Sequence, residues 1–379
     1  MTRSRQAIAT EASRKLIEAE PSTRTLKALV GLDGFVDEII AVVDKRYADG
    51  QFDPVHTITA MGDKIRAAAG ESSNYELVVR RQKLGGNGPI MAHALACLGL
   101  DVTYIGSLGY PEIHPVFREF AEKARVLSIA EAGHTDALEF DDGKIMLGKY
   151  ESLRSLNWTS LVERVGLESF TRLVRESTFV GLVNWTMLPE MSRIWERMIE
   201  EVVPRLNGAR PSLFVDLADP EKRTPQDIRS ALALLTRFSE SFEVLLGLNL
   251  KEAMEVAAVL NLPIPVDPEA QVGTLSASLR ERLTLNCVVI HPRRAAAAAT
   301  AEEVARFEGP FVSHPKISTG AGDHFNAGFC LGRILGLDLE ESLCAGVACS
   351  GYYVRSAESP SLDSLAAFTA EMPPPEAVS

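Results

Sequence analysis

The stretch KISTGAGDHFNAGF, residues 316–329, sets Gly320 and Gly322 directly before Asp323 and then runs into apolar residues at helical spacing. Glycines let a backbone turn tightly and approach a ligand closely, and the start of the following helix offers unpaired N–H groups at the positive end of its dipole. That combination binds an anion. A carboxylate beside a bound phosphate is repelled unless its charge is used, and taking the proton from an attacking hydroxyl is such a use. Asp323 therefore reads as a general base for phosphoryl transfer, with an ordinary helix cap as the competing reading. GAGDHF also shares part of the G-x-G-x-x-G dinucleotide turn, with Phe325 where the third glycine belongs. Glu340 and Glu341 lie at the distance of a ribose contact, but they read as the opening of another helix rather than as a strand end.

A turn of this kind has to be held by a sheet, and the chain is long enough to build one. Its 379 residues are 46% hydrophobic, which suits a large α/β domain and excludes a disordered or peptide-like chain. A formal net charge of −12 leaves no electrostatic footprint for nucleic acid and would be repelled by anionic lipid. TLKALVGLD, DVTYIGSLG, STFVGLVNW, PSLFVDLAD, FEVLLGLN and NCVVIHP read as buried strands, and PVFREFAEKA, MSRIWERMIEEVV and TPQDIRSALALLTRF as amphipathic helices between them. Repeated strand-helix-strand order predicts a three-layer α/β fold with a mostly parallel sheet covered on both faces.

Two segments break that rhythm: FVDEIIAVVDKRY with YELVVRRQKLGG, and DALEFDDG with KIMLGKY, joined by Asp-Asp-Gly as in a β-hairpin. Together they predict a small β lid from about residues 35–84 and 137–150. The alanine run at 295–300 is too short to matter, the N-terminal MTRSRQAIATEASRKL reads as a surface helix, and 371–379 as a flexible tail. Five cysteines among apolar neighbours, without a C-x-x-C pair, suit reduced thiols in a cytoplasmic protein. No signal peptide or membrane span is expected.

Taken together, STGAGDHFNAGF near the C-terminus and KLGGNGPIMAHALACLGLDVTYIGSLG near the N-terminus resemble the two signatures of the ribokinase-like (PfkB) carbohydrate kinases, in the same order and separation. GLNLKE is similar to that family's N-x-x-E element and FVDLADPEKR to its strand-end aspartate motif, so the resemblance spans roughly residues 26–358. It implies a ribokinase-like fold with the lid closing over a sugar, lids that often pair two subunits into a homodimer, and magnesium-dependent transfer from ATP, with ADP possible as donor. Asp323 would take the proton of a sugar hydroxyl, while N–H groups of Gly320, Ala321 and Gly322 stabilise the transferring group. Asn249 and Glu252 would organise water around the magnesium ion. Asp37, with Asp33 as a second candidate, would bind sugar hydroxyls beside Gly85, Gly86 and Asn87, although either aspartate also suits a turn. Asn184 and Asp216 end predicted strands, where α/β sheets place ligands. Asn184 goes with the sugar; Asp216, Asn249, Arg293 and Asn326 go with the nucleotide.

The chain departs from the family pattern twice. Ile90 stands where an asparagine usually contacts the sugar, and HPRRAA replaces a Thr-x-Gly-x-x-Gly turn next to the nucleotide. His291 and Arg293 thus stand in for small residues. Arg293 or Arg294 could reach phosphate by bidentate contacts, or could be exposed loop arginines. An intact GAGD favours an enzyme, and HPRRAA favours the alternative of a catalytically weak protein that binds sugar or nucleotide for regulation. His324 follows the proposed base, but adjacent helix residues point about 100° apart, so it reads as a surface residue or a supporting one behind the site. His93 reads as packed within its apolar helix.

Overall fold

The computed structural model describes residues 3–47 and 50–376. In chain order the strands are β1 (Lys27–Leu32), β2 (Phe35–Arg46), β3 (Phe52–Pro54), β4 (Leu77–Gly85), β5 (Asp101–Gly106), β6 (Arg125–Ser128) and β7 (Gly133–Phe140). They continue with β8 (Gly143–Lys149), β9 (Phe179–Val183), β10 (Ser212–Asp216), β11 (Glu243–Leu248), β12 (Cys287–Ile290), β13 (Ala295–Ala299) and β14 (Val304–Glu308). Nine of them form one sheet in the order β14-β13-β12-β11-β10-β9-β1-β5-β6. From β6 to β12 every neighbouring pair is parallel, and β13 and β14 close the edge antiparallel.

The central strands show no polar alternation because helices cover both faces; all five residues of β9 and all four of β12 are buried. One apolar cluster fills the space on each side, anchored by Phe117, Phe120 and Phe329 on one and by Trp185, Trp195 and Phe238 on the other. The mostly parallel, helix-flanked sheet matches the expected fold class. Parallel order also places the C-terminal ends of β1, β9, β10 and β11 side by side, which is where side chains for a site must come from.

The alanine run corrects its sequence reading. Ala295–Ala299 is a strand, 0–2% exposed throughout, paired with β12 and β14. Alanine prefers helix by intrinsic propensity, and two flanking strands override that weak preference.

The second sheet is the predicted lid. It runs β3-β2-β7-β8 with β4 paired to β2, and Asp141 and Asp142 form the two-residue turn between Phe140 and Gly143. Two boundaries differ from expectation: β7 already begins at Gly133, and the segment 35–84 holds the helix Ile58–Ala67 between its strands. Ile40, Val42, Val55, Met61, Leu138 and Phe140 form the lid's own small core. Across its strands His134 lies 3.2 Å from Glu38 and 3.0 Å from Asp136, and Lys149 lies 2.7 Å from Asp136. β2 begins three residues after β1 ends, so the lid is hung directly on β1, an interior strand of the main sheet.

The N-terminal helix Arg5–Thr23 is more than a surface element, because Ile8, Ala9, Ala12 and Leu16 are buried in the main core. Lys15 pairs with buried Glu341 at 2.7 Å. The expected flexible tail is tied down over residues 371–376: Glu376 accepts from Ser313 N and Oγ, both at 2.8 Å, and Arg5 donates to the carbonyls of Met372 and Pro373. Residues 377–379 lie outside the described residues. Cys287, Cys330, Cys344 and Cys349 are buried free thiols and Cys97 is half-buried. No described helix is long and apolar enough to cross a membrane.

Candidate active site

Gly320 ends the loop before the helix Ala321–Ile334 with φ 88° and ψ 0°, a left-handed conformation that glycine adopts without penalty. Asp323 is the third residue of that helix, so it does not cap it. Its carboxyl group is 7% exposed and accepts a hydrogen bond from Asn87 Nδ2 at 3.0 Å. Burial pushes its pKa up to about 8, Asn87 opposes the shift, and the charges of Asp33 and Glu252 add to it. The expected trio of anion-binding amides needs one correction, because Ala321 N–H is donated to Ser318 O at 3.2 Å. The amides of Gly320 and Gly322 have no acceptor among the described residues.

On one side of Asp323 lies the start of the helix Asn87–Cys97. Asp33, at the end of β1, accepts from Asn87 N at 3.0 Å, Gly88 N at 2.8 Å and Asn184 Nδ2 at 2.7 Å. It is fully buried, which pushes its pKa up to about 6 against those three bonds. The Tyr104 hydroxyl donates to its backbone carbonyl. Close packing explains the glycines here: a Cβ on Gly88 would sit 2.5 Å from both Asp33 Oδ1 and Tyr104 Oη, and one on Gly85 would sit 2.5 Å from the Asp37 carboxylate.

Asp37, on β2 of the lid, keeps Thr135 as its hydrogen-bonding side chain and is raised by burial. Asp33 is thus held by helix-start amides and Asn184, while Asp37 faces Gly85 with fewer partners. Asn184 has φ 61° at the end of β9, and its Oδ1 is buried without a partner. Ile90 packs over the turn, 3.2 Å from where a Cβ on Gly320 would lie. A methyl group therefore occupies the place for which the family pattern supplies an amide.

On the other side lie the ends of β10 and β11. Asn249 and Glu252 form a reciprocal capping box at the start of the helix Leu250–Val259: Asn249 Oδ1 accepts from Glu252 N at 3.0 Å and Glu252 Oε2 from Asn249 N at 2.9 Å. Glu252 Oε1 accepts from Asp219 N at 3.0 Å. That last contact depends on two successive left-handed residues, Ala218 (φ 55°) and Asp219 (φ 54°), a strain of the kind that persists where surrounding structure enforces it. Asp216 accepts from Ala218 N at 2.8 Å and Asn326 Nδ2 at 2.9 Å, and its pKa is raised by burial and by the charges of Glu252 and Asp323. Asn326 is fully buried, so it acts on this region through Asp216.

Next to these groups opens a cavity of about 620 Å³ whose walls include Asn249, His291, Arg293, Phe311, Gly322 and Ser350. The sequence's HPRRAA segment forms one wall. The His291 ring lies tilted by 32° against Phe325 with ring centres 4.7 Å apart, and burial pushes its pKa down to about 4, so it is a neutral ring. Its Cε1 lies 3.3 Å from where a Gly322 Cβ would be. Arg293 is exposed at the cavity wall. Arg294 lies over the Phe311 ring and donates to Glu376 O at 3.0 Å, which turns it toward the C-terminal segment.

Sequence reasoning missed the roles of Tyr104, which lies inside the quoted N-terminal signature but meets Asp33 only in the fold, and of Thr135, which belongs to no motif. It read Asn249-x-x-Glu252 as a magnesium and nucleotide group at a helix start, without the reciprocal cap that the spacing also signals. The arrangement as a whole offers a carboxyl group with a raised pKa and two amides without acceptors at a helix start, polar groups at the root of the lid on one side, and a cavity on the other. That suits transfer of an anionic group between two ligands meeting at Asp323.

Comparison with known proteins bears on the family and the fold. The family model for prokaryotic ketohexokinase matches residues 4–372. A ketohexokinase of Haloferax volcanii is 28% identical over 344 residues, covering 90% of each chain. Among solved structures, a carbohydrate kinase from Agrobacterium tumefaciens is similar with TM-score 0.63 and 19% identity, over 92% of this chain and 98% of that one. Arabidopsis thaliana ribokinase, complexed with ribose and ATP, is similar with TM-score 0.61 and 16% identity, over 91% and 98%.

Proposed function

This chain belongs to the prokaryotic ketohexokinase family and is a carbohydrate kinase, and on that premise we propose that it transfers a phosphoryl group from ATP to a hydroxyl of a ketohexose, with Asp323 as general base. The observation that carries this reading is the 3.0 Å hydrogen bond from Asn87 to Asp323. It joins the N-terminal sugar-side signature to the C-terminal glycine turn.

The sugar would lie between the lid and the helix start at Asn87, with Asp37 and the backbone at Gly85 and Gly86 against its hydroxyls. Asp33 and Asn184 would hold that floor in place. Asp323 would accept the proton of the attacking hydroxyl while Gly320 N–H and Gly322 N–H face the charge on the transferring oxygens. The nucleotide would occupy the cavity between Asn249 and Arg293, with His291 as a flat neutral wall.

Asp216 and Glu252 are buried carboxyl groups, both raised first by burial, and the charge of Glu252 adds to the shift of Asp216. Such oxygen donors suit a hard divalent cation, and Glu252 and Asp216 would hold the water shell of magnesium. The ion would neutralise phosphate charge. Lid closure would keep water from competing as acceptor. Exposed Leu77, Val79 and Met146 on the lid, 43–51% exposed, suit pairing with a second copy as a homodimer.

The experiment is a phosphorylation assay with fructose, tagatose, sorbose and psicose beside aldoses, pentoses and nucleosides, with magnesium and either ATP or ADP. Phosphorylated ketohexose from ATP, lost in Asp323→Asn, is expected. A product confined to another sugar class would overturn the substrate, and ADP as the preferred donor would overturn the nucleotide. Sugar binding without transfer would favour the regulatory alternative, which HPRRAA supports.

A further inference from the structure

Behind the glycine turn, two aromatic rings lie face to face: His324 and Tyr353, with centres 3.6 Å apart and planes at 12°. We propose that this pair is a brace that fixes the peptide planes of the turn and so aims the Gly320 amide at the transferring group; the inference rests on reading the turn as the anion site.

A trans peptide points its C=O and N–H in opposite directions, so holding the carbonyl aims the amide. The Tyr353 hydroxyl donates to Thr319 O at 3.0 Å. That bond fixes the Thr319–Gly320 plane and turns Gly320 N–H away from the Tyr353 ring. His324 Nδ1 lies 2.7 Å from Gly320 O, which fixes the next plane, whose amide is already held by Ser318 O. Gly320 has no side chain to limit rotation on either side of it. Backbone bonds already hold the second plane, with Gly320 O also accepting from His324 N at 3.1 Å; the two ring contacts add a side-chain limit on each plane, and their stacking joins them.

The donors can be assigned in one direction. Gly320 O only accepts, so Nδ1 of His324 carries the hydrogen. Burial holds the ring neutral, with its pKa pushed down to about 4, so Nε2 accepts from Ser359 Oγ at 2.9 Å. The Ser359 oxygen in turn accepts from His93 Nδ1 at 3.1 Å. His93, Ser359 and His324 thus form a chain ending on the turn, and His324 is a positioning residue rather than a catalytic one.

Three variants test this: His324→Phe keeps the stacked ring without its donors, Tyr353→Phe removes one hydroxyl, and His324→Asn returns an amide N–H near the lost Nδ1. Steady-state kinetics would be measured with ATP and the best sugar, together with binding of ADP plus aluminium fluoride, a mimic of the transferring group. Both phenylalanine variants are expected to lose roughly 10–100-fold in kcat, as for a weakened anion site, with both KM values within about 2-fold and weaker binding of the fluoride complex. His324→Asn should recover at least half of the activity lost in His324→Phe on a logarithmic scale. Unchanged kcat in Tyr353→Phe, or losses shared by kcat and KM without rescue, would overturn the brace. If His324→Phe fails to fold, Tyr353→Phe decides alone. A wild-type chain without transfer would overturn the reading of the site and the brace with it, whereas an active wild type with indifferent variants would overturn only the brace.

Discussion

The two halves of the site are built in opposite ways. On the sugar side, Asp33 is held by three hydrogen bonds and Gly85 and Gly88 are fixed by side chains that leave no room for a methyl group. On the side proposed for the nucleotide, the wall is an open cavity edged by an exposed Arg293 and a neutral His291 tilted against Phe325. Recognition of a polyol needs several directional contacts held in register, so it requires a rigid floor. A nucleotide offers a flat base and a flexible charged chain, for which a looser surface suffices. The departures from the family pattern are distributed accordingly: HPRRAA lies wholly on the permissive side, and Ile90 is the one change on the rigid side.

If this contrast is right, Asp37→Ala should have the largest selective effect, raising the sugar KM by roughly 100-fold while the nucleotide KM stays within about 3-fold, since a charge-assisted contact is lost. Equal changes in both constants would break the division. Asp323, at the junction of the halves, should impose an acidic limb on kcat/KM: the base works only when deprotonated, so the rate should rise about tenfold per pH unit below about 8 and level off above it. A flat profile from pH 6 to 9 would remove it as the base.

Arg293→Ala should act only on the nucleotide, raising its KM by about 3–10-fold, because an exposed cation contributes little through solvent. A larger effect on the sugar would place Arg293 on the wrong side.

The smallest effect expected is on stability. Asp323 has a raised folded pKa of about 8 against an ordinary 3.8. Its contribution is therefore complete below pH 3.8 and is lost as pH rises to 8. Asp323→Asn removes that loss, so its Tm should exceed the wild type by about 1–3 °C at pH 8, and by less at pH 5. An equal Tm at both pH values would mean that the carboxyl is not raised by its surroundings.

The sequence was most legible where function and fold use the same local signal. GAGD announces a turn and a helix start within four residues, with the carboxylate proposed as base beside them, and buried strands announce themselves by unbroken apolar runs. Legibility failed where partners are far apart in the chain. Tyr104 meets Asp33 across 71 residues, and His324 meets Ser359 across 35, so no window could reveal either contact. It also failed where tertiary context reverses propensity, as in the alanine strand. For Asn249-x-x-Glu252 the cap was readable, but the resemblance drew attention to a metal instead.

The hydrogen bond between Asn87 and Asp323 spans 236 residues of chain. A ribosome adding 5–20 residues per second makes Asn87 roughly 10–50 s before it makes Asp323. The strands and helix that shape the sugar floor are therefore all synthesised before the base exists, and no nascent chain shorter than 323 residues carries it. The residue proposed as base therefore joins a proposed sugar floor that has already had time to form.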